Sequence, residues 1–133
     1  MKNDKSEFME VVFHKTSKTL ELIWLEKTLR LSDRLFRQEL KKQTQWVKEH
    51  HPTNILIDAT QFVFPIAPPT QTWINDQIHC AFTKAGIGKI GILKSIEFIS
   101  QLSIEQTIEA NTQPGLKLKI FEARQTAFDW LMA

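Results

Sequence analysis

The segment 54–58, with the sequence NILID, constrains the fold of this chain more than any other. Ile55, Leu56 and Ile57 are consecutive and apolar, which is typical of a strand covered on both faces. Strands of this kind belong to parallel sheets that have helices on both sides. Asp58 ends the run, and open α/β sheets usually carry their sites at the carboxyl ends of such strands. The segment therefore predicts a central parallel strand with a candidate site directly after it.

The first half of the chain contains a predicted hairpin and a helix. Segments 8–15 and 19–25 alternate apolar and polar residues, and the short polar turn 16–18 separates them, so they predict two antiparallel strands. Ser32 is a suitable N-cap for an amphipathic helix that we expect to run to about Glu49.

Helical and strand-like segments alternate in the second half. We predict a helix after the loop of Pro65, Pro68 and Pro69, with its end at Gly86, followed by a strand over 89–94. A third helix is predicted to start at Ser95 and to break at the capping-box pattern of Ser103. The last elements are a strand over 116–121 and a helix with one apolar face, formed by Ala123, Ala127, Trp130 and Leu131.

This order of elements predicts an α/β fold, with one domain over residues 1–133. We expect a mixed, mostly parallel sheet of about five strands, with an N-terminal antiparallel hairpin and helices packed on the sheet.

Composition limits the classes of protein to which the chain can belong. The 17 basic and 15 acidic residues give a formal net charge of +2, which does not predict a nucleic-acid-binding domain. No apolar run approaches the ~20 residues that cross a bilayer, so we do not expect the chain to span a membrane. The single cysteine, Cys80, and the absence of a signal-peptide pattern predict a cytoplasmic location.

Two patterns that suggest cofactors or metals lack the context that they need. Residues 86–91 match G-x-G-x-x-G, but a dinucleotide fingerprint leaves a strand and opens a helix, whereas this one leaves a predicted helix. The pairs His50-His51 and His79-Cys80 are adjacent in predicted helical segments, so the two members of each pair point in different directions. We therefore predict no cofactor and no metal site.

Candidate ligand-binding or partner-binding residues follow the central strand, around the predicted mouth between it and the second helix. They are Asp58, Thr60, Phe62, Phe64, Thr70, Thr72 and Trp73. Asp58 can accept hydrogen bonds from loop amides, as Asp often does in turns, or it can belong to a polar rim that binds an anion at a helix start. The segment 62–66 is unusually apolar for a solvated loop, and it can line the core, form a lid or form an exposed docking patch.

Basic residues share one side of the first predicted helix: Arg34, Arg37, Lys41 and Lys48. This basic stripe can be a solvated face or an electrostatic landing surface for an acidic partner or an anionic lipid.

The chain resembles the stage II sporulation protein AA-like family of the STAS (sulfate transporter and anti-sigma antagonist) superfamily. The resemblance rests on Ile55-Leu56-Ile57-Asp58 after an amphipathic helix, on Gly86 before the strand 89–94, and on the ending from Phe121 through Ala127, Trp130 and Leu131. It implies a compact α/β domain that acts as a regulatory module by binding a protein partner. In related anti-sigma antagonists that partner is a kinase.

The resemblance also implies control by phosphorylation of a serine at a helix start after the central strand. Asp58 is followed here by Ala59-Thr60-Gln61, in place of the Asp-Ser-(Ser/Ala)-Gly pattern of those switches. By topology, Thr70 and Thr72 occupy a comparable helix start and are the candidate phosphoacceptors.

Taken together, these observations predict a non-enzymatic module that recognises a protein partner or a small ligand near the Asp58 loop and the start of the second helix. One alternative is a lipid-like apolar ligand in a pocket beneath Phe62–Ile66. Another is a hydrolytic enzyme with Asp58 as general base, which requires a second polar group within hydrogen-bonding reach. A homodimer is also left open.

Overall fold

The structure of the protein, a computed structural model, describes residues 4–133 and contains one mixed sheet. Its strands follow chain order across the sheet: β1 (Asp4–Lys5), β2 (Met9–His14), β3 (Thr19–Trp24), β4 (Asn54–Asp58), β5 (Lys89–Leu93) and β6 (Lys117–Phe121). The pairs from β1 to β3 are antiparallel, and those from β3 to β6 are parallel. The predicted single α/β domain with an N-terminal hairpin is confirmed, and the two-residue β1 adds a short strand at the edge.

The helices connect these strands. They are a 3-10 helix (Glu26–Arg30), α1 (Asp33–His50), α2 (Pro68–Trp73), a π-helix (Ile74–His79), α3 (Cys80–Lys84), α4 (Phe98–Glu109) and α5 (Arg124–Met132). α2, the π-helix and α3 are contiguous, and Gly86 follows them with a φ of 94°, as predicted. This helix begins at Pro68 rather than after Pro69, because proline is favoured in the first helical turn.

The first helix has the predicted start. The Ser32 hydroxyl accepts a hydrogen bond from the Leu35 amide at 3.2 Å, and His51 ends the helix in a left-handed conformation. Phe36, Leu40 and Val47 form its buried side.

The two faces of the sheet carry different helices. Successive strand residues point to opposite faces. Ile55 and Ile57 pack with residues of α1, the π-helix and α4, whereas Leu56 packs with Ala127 and Leu131 of α5. Asp58, two residues after Leu56, therefore lies on the α5 face.

The prediction for the third helix was wrong at its start and in its middle. α4 is continuous from Phe98 to Glu109, and its N-cap is Glu97, whose carboxylate accepts hydrogen bonds from the Ile99 and Ser100 amides at 2.7 and 2.9 Å. The Ser103 hydroxyl donates to the Ser100 carbonyl at 2.7 Å and accepts from the Ile66 amide at 2.9 Å. Ser103 thus joins α4 to a loop instead of starting a new helix.

Candidate functional site

Asp58 forms a tight turn at the end of β4. Its Oδ1 accepts hydrogen bonds from the Thr60 amide at 3.0 Å and the Thr60 hydroxyl at 2.7 Å. A carboxylate that bonds to the backbone two residues later is a common turn device. The structure therefore brings Asp58 and Thr60 together. Asp58 accepts hydrogen bonds from its own loop, which is the first of the two roles that the sequence allowed for it.

A buried ion pair lies on the same face of the sheet as Asp58. Glu21 of β3 is 1% exposed, and Arg124 donates to both of its carboxylate oxygens, with Nη2 to Oε1 at 2.6 Å. His14 Nε2 lies 2.8 Å from Glu21 Oε1. Burial alone would raise the pKa of Glu21, but the hydrogen bonds with Arg124 and His14 outweigh it and lower the pKa below its usual value. The hydrogen bond with Glu21 raises the pKa of Arg124, and the charges of Glu21 and Asp58 raise it further, so these groups form one electrostatic cluster.

The predicted residues of α2 lie elsewhere. The Thr70 hydroxyl is buried, where it donates to Asp33 and accepts from Arg37 Nη2 at 3.0 Å. The Arg37 guanidinium also lies 4.9 Å from the ring centroid of Trp73. These contacts join α2 to α1, on the sheet face opposite to Asp58. The predicted rim is thus divided between two separate clusters.

Thr72 and most residues of the basic stripe face solvent. Thr72 is exposed on α2, with its hydroxyl 3.5 Å from the Pro68 carbonyl. In the basic stripe Arg34, Lys41 and Lys48 are exposed, whereas Arg37 is half-buried by the contacts just described.

The apolar loop 62–66 lines the core. The Phe62 ring is buried, with its centroid 5.2 Å from that of Trp24, and the half-buried Phe64 ring lies 4.9 Å from that of Phe36. The sequence allowed this segment to line the core, to form a lid or to form an exposed docking patch. Phe62 and the buried part of Phe64 line the core.

Three hydroxyls hold this loop in place, a role that the sequence did not predict for any of them. Thr28 accepts from the Val63 amide at 2.9 Å, Ser95 donates to the Phe62 carbonyl at 2.8 Å, and Ser103 accepts from the Ile66 amide. Each joins residues more than 30 positions apart, so no local pattern could reveal it.

A cavity of about 70 Å³ lies beneath the loop, between the sheet and the helices. Phe62 and Ile66 line it from the loop, and Ile74, Ile78 and His79 line it from the π-helix. A π-helix has a wider turn than an α-helix, so residues four and five positions apart share one side. The π-helix therefore presents an imidazole to the cavity beside two isoleucines.

His79, which lines this cavity, has an unpaired ring nitrogen. The residue is 6% exposed, and its Nδ1 is buried with no hydrogen-bond partner among residues 4–133. Burial lowers the pKa of His79 to about 4, although a hydrogen bond with the Asn111 side chain opposes this shift. The imidazole is therefore neutral at physiological pH.

An apolar patch on the surface adjoins the Asp58 loop. It consists of Ile96, Phe98, Ile99 and Leu102, which are 84%, 74%, 51% and 42% exposed, and we call it the α4 patch. The Ile96 amide donates to the Thr60 carbonyl at 3.3 Å, which links the patch to the turn that Asp58 forms. The sequence predicted a helix over this segment, but the exposure of these residues depends on how that helix packs.

The part of the chain that the structure describes, residues 4–133, contains no group of three or more His, Cys, Asp or Glu side chains that could hold a metal ion. None of its helices is both long enough and apolar enough to cross a membrane.

Comparison with known proteins gives no match to a protein-family model, to a curated protein or to a solved structure.

Proposed function

We propose that this protein is a non-enzymatic, STAS-like regulatory module that binds a protein partner through the α4 patch and the adjoining Asp58 loop. The observation that carries the proposal is the exposure of four large apolar side chains within seven consecutive residues. Contiguous exposed apolar surface is uncommon on monomeric proteins and marks interaction sites. The resemblance to anti-sigma antagonists and the mixed sheet with its N-terminal hairpin support the regulatory class.

The α4 patch has the energetic properties of a binding surface. Burying one large apolar side chain completely contributes roughly 1.5–3 kcal/mol, and a few large residues usually carry most of the affinity of an interface. Phe98 is the largest of the four and is 74% exposed, so it has the most surface to bury.

The patch is also held in a defined conformation before binding. Glu97 caps the first turn of α4, and the Ser95 hydroxyl donates to the Phe62 carbonyl and accepts from the Glu97 amide at 3.1 Å. A surface that is already ordered loses less conformational entropy when it binds. The Asp58–Thr60 turn fixes the polar edge of the same surface.

The proposal can be tested by photocrosslinking. A photoreactive phenylalanine derivative at position 98 should crosslink a partner in the cells that make the protein, whereas the same group at Gln125, exposed on α5, should not. With the purified partner, the double change Phe98→Ala and Ile99→Ala should weaken binding at least tenfold, which corresponds to about 1.4 kcal/mol. Asp58→Ala should weaken it less, and Gln125→Ala should leave it unchanged.

The outcomes of this experiment separate the proposal from its competitors. Unchanged affinity of the partner for the Phe98 and Ile99 double variant would refute the assignment of the surface. Crosslinks between copies of this chain from position 98 would replace the partner with a homodimer.

A second candidate function is the binding of an apolar ligand beneath the loop 62–66. The cavity of about 70 Å³ favours it, because its lining includes Phe62 and Ile66. The cavity has about half the volume of an engineered cavity that accepts benzene, which measures about 150 Å³, so it suits a molecule smaller than benzene or the end of a longer chain.

A further inference from the structure

We infer that the cavity beneath the loop is a binding site for a small apolar molecule with one hydroxyl group, which His79 anchors by a hydrogen bond. This inference rests on the second candidate function and specifies the class of ligand. It does not depend on the α4 patch, which lies on the surface.

His79 is the polar residue in the described cavity wall that has an unpaired buried atom. Gln43 and Thr107 also line the cavity, but Gln43 Nε2 donates to Met9 Sδ at 3.2 Å and the Thr107 hydroxyl donates to the Ser103 carbonyl at 2.7 Å. His79 Nδ1 is buried without a partner among the described residues. Buried polar atoms nearly always have a partner, and an unpaired one destabilises the folded protein.

A hydroxyl is the polar group of a ligand that best suits the neutral imidazole of His79. A neutral imidazole has one donor nitrogen and one acceptor nitrogen, and the tautomer decides which role Nδ1 takes. A hydroxyl group can both donate and accept, so it suits either tautomer. A charged group is disfavoured, because burying an ion without an opposite charge is costly and the rest of the lining is largely apolar.

The cavity also limits the size of the ligand and its position. One water molecule needs roughly 10–15 Å³ of a cavity measured with a water-sized probe, so a space of about 70 Å³ is larger than one water requires. Ile74 and Ile78 stand beside His79 on the same side of the π-helix. The apolar body of the ligand would contact these side chains while its hydroxyl reaches Nδ1. Single π-helical turns frequently occur at functional sites, which agrees with this placement.

The test compares two probes, ethanol and chloroethane, which have equal numbers of heavy atoms, half as many as benzene, and differ in the hydroxyl group. Dissociation constants are measured by NMR titration, from the methyl signals of Ile78 and Ile104, both of which line the cavity. For each protein the ratio of the two dissociation constants is calculated, so that the different water solubilities of the probes cancel between variants. We expect both probes to bind saturably to the wild type.

Three variants assign the effect to the site. In His79→Leu the ratio should shift against the alcohol by about five- to tenfold, the value of one hydrogen bond. Gln77→Leu changes an exposed residue of the same π-helix and should leave the ratio unchanged. Ile108→Phe, which adds volume to the cavity wall, should weaken both probes. If His79→Leu does not fold, His79→Met replaces it; its flexible apolar side chain offers the ligand at most a weak acceptor, so the ratio should shift against the alcohol in the same direction.

Two results would overturn the inference, and they have different consequences. If neither probe binds saturably to the wild type, or if Ile108→Phe has no effect on either, the second candidate function fails as well. If both probes bind in the cavity but the ratio in His79→Leu, or in His79→Met where it replaces that variant, is the same as in the wild type, the cavity remains a ligand site and only the role of His79 is refuted.

Discussion

Arg124, the first residue of α5, binds both carboxylate oxygens of Glu21, which lies 103 positions earlier on β3. Glu21 is buried among the strands, whereas the Arg124 side chain is about half exposed. The pair fixes the start of α5 on the sheet, next to Asp58. Because a buried carboxylate requires a partner, we expect the stability of this end of the sheet to depend on Arg124.

Arg124→Met should therefore destabilise the protein. Removing one partner of a fully buried pair costs about 3–5 kcal/mol, and we expect roughly 2 kcal/mol here, because Arg124 is half exposed and His14 still contacts Glu21. Urea unfolding with wild type and variant gives the difference. Arg34→Met, at an exposed position of α1, is the matched control and should change the stability by less than about 0.5 kcal/mol. A loss as small in Arg124→Met as in this control would contradict the prediction.

Stability should fall as the pH decreases from about 6.5 to 4, because of His79. Burial lowers the pKa of this group from 6.5 to about 4 in the folded protein, so between these values the unfolded chain takes up a proton that the folded protein does not. The contribution of His79 to the free energy of unfolding is about 3 kcal/mol in total. It is fully present above the pKa of the unfolded chain and is lost as the pH falls through the pKa of the folded protein. His79→Leu should remove this slope in urea unfolding measured across the range, whereas Gln77→Leu should retain it. An equal slope in both variants would contradict the assignment to His79.

The pattern of apolar residues was sufficient to predict the fold. Ile55, Leu56 and Ile57 predicted a strand covered on both faces, and the alternation before it predicted the hairpin, because both are periodicities within short segments. The error at Ser103 has the opposite origin. Its capping-box pattern is a local signal, but the Ile66 amide uses the hydroxyl instead, and a tertiary hydrogen bond of this kind has no trace in the neighbouring sequence.

The candidate site was predicted less completely than the fold, because most of it depends on tertiary contacts. Asp58 and its bond to Thr60 lie within three residues and were considered from the sequence. The exposure of Phe98 and the lining of the cavity by His79 both depend on how helices pack against the sheet. The π-helix adds a further difficulty, because a helix with the ordinary period would distribute Ile74, Ile78 and His79 differently.

Replacement of Gly86 and of Gly91 by alanine should change the stability of the protein in opposite directions. Gly86 has a φ of 94°, so Gly86→Ala should cost about 1–2 kcal/mol. A Cβ atom at Gly91 would lie 3.6 Å from Leu56 Cδ1 and 3.7 Å from Leu131 Cδ1, which are ordinary contacts. Gly91→Ala should therefore stabilise the protein by about 0.4–1 kcal/mol, because it reduces the freedom of the unfolded chain. Thermal and urea unfolding measure both changes, and destabilisation by Gly91→Ala would show that β5 and α5 are packed more tightly than these distances indicate.

Ser103→Ala should loosen the loop 62–66. The Ile66 amide would lose its acceptor in a buried position, at a cost of about 1–3 kcal/mol. Hydrogen exchange of the Ile66 amide should also become faster than in the wild type. Thr126→Ala is the matched control, because this exposed hydroxyl bonds to the Ala123 carbonyl at the start of α5 and not to another element. Unchanged exchange at Ile66 in Ser103→Ala would show that the contact does not hold the loop.

Thr70 and Thr72 should differ in their tolerance of a negative charge, although the sequence alone ranked them equally as phosphoacceptors. The Thr70 hydroxyl is buried and donates to Asp33, so Thr70→Glu would place a second carboxylate next to the first. We expect a loss of at least about 2 kcal/mol in urea unfolding at neutral pH, because Arg37 is already bound to Asp33 at 3.0 Å.

Thr72 is exposed, and Thr72→Glu should change the stability by less than about 0.5 kcal/mol. Thr70→Val separates the loss of the hydroxyl from the effect of the charge, and it should cost less than Thr70→Glu. If Thr70→Glu is as stable as the wild type, Arg37 must have turned to bind the new carboxylate, and position 70 could then carry a phosphate in the folded protein. If the expected order holds, Thr72 is the position at the start of this helix that can be phosphorylated without unfolding it.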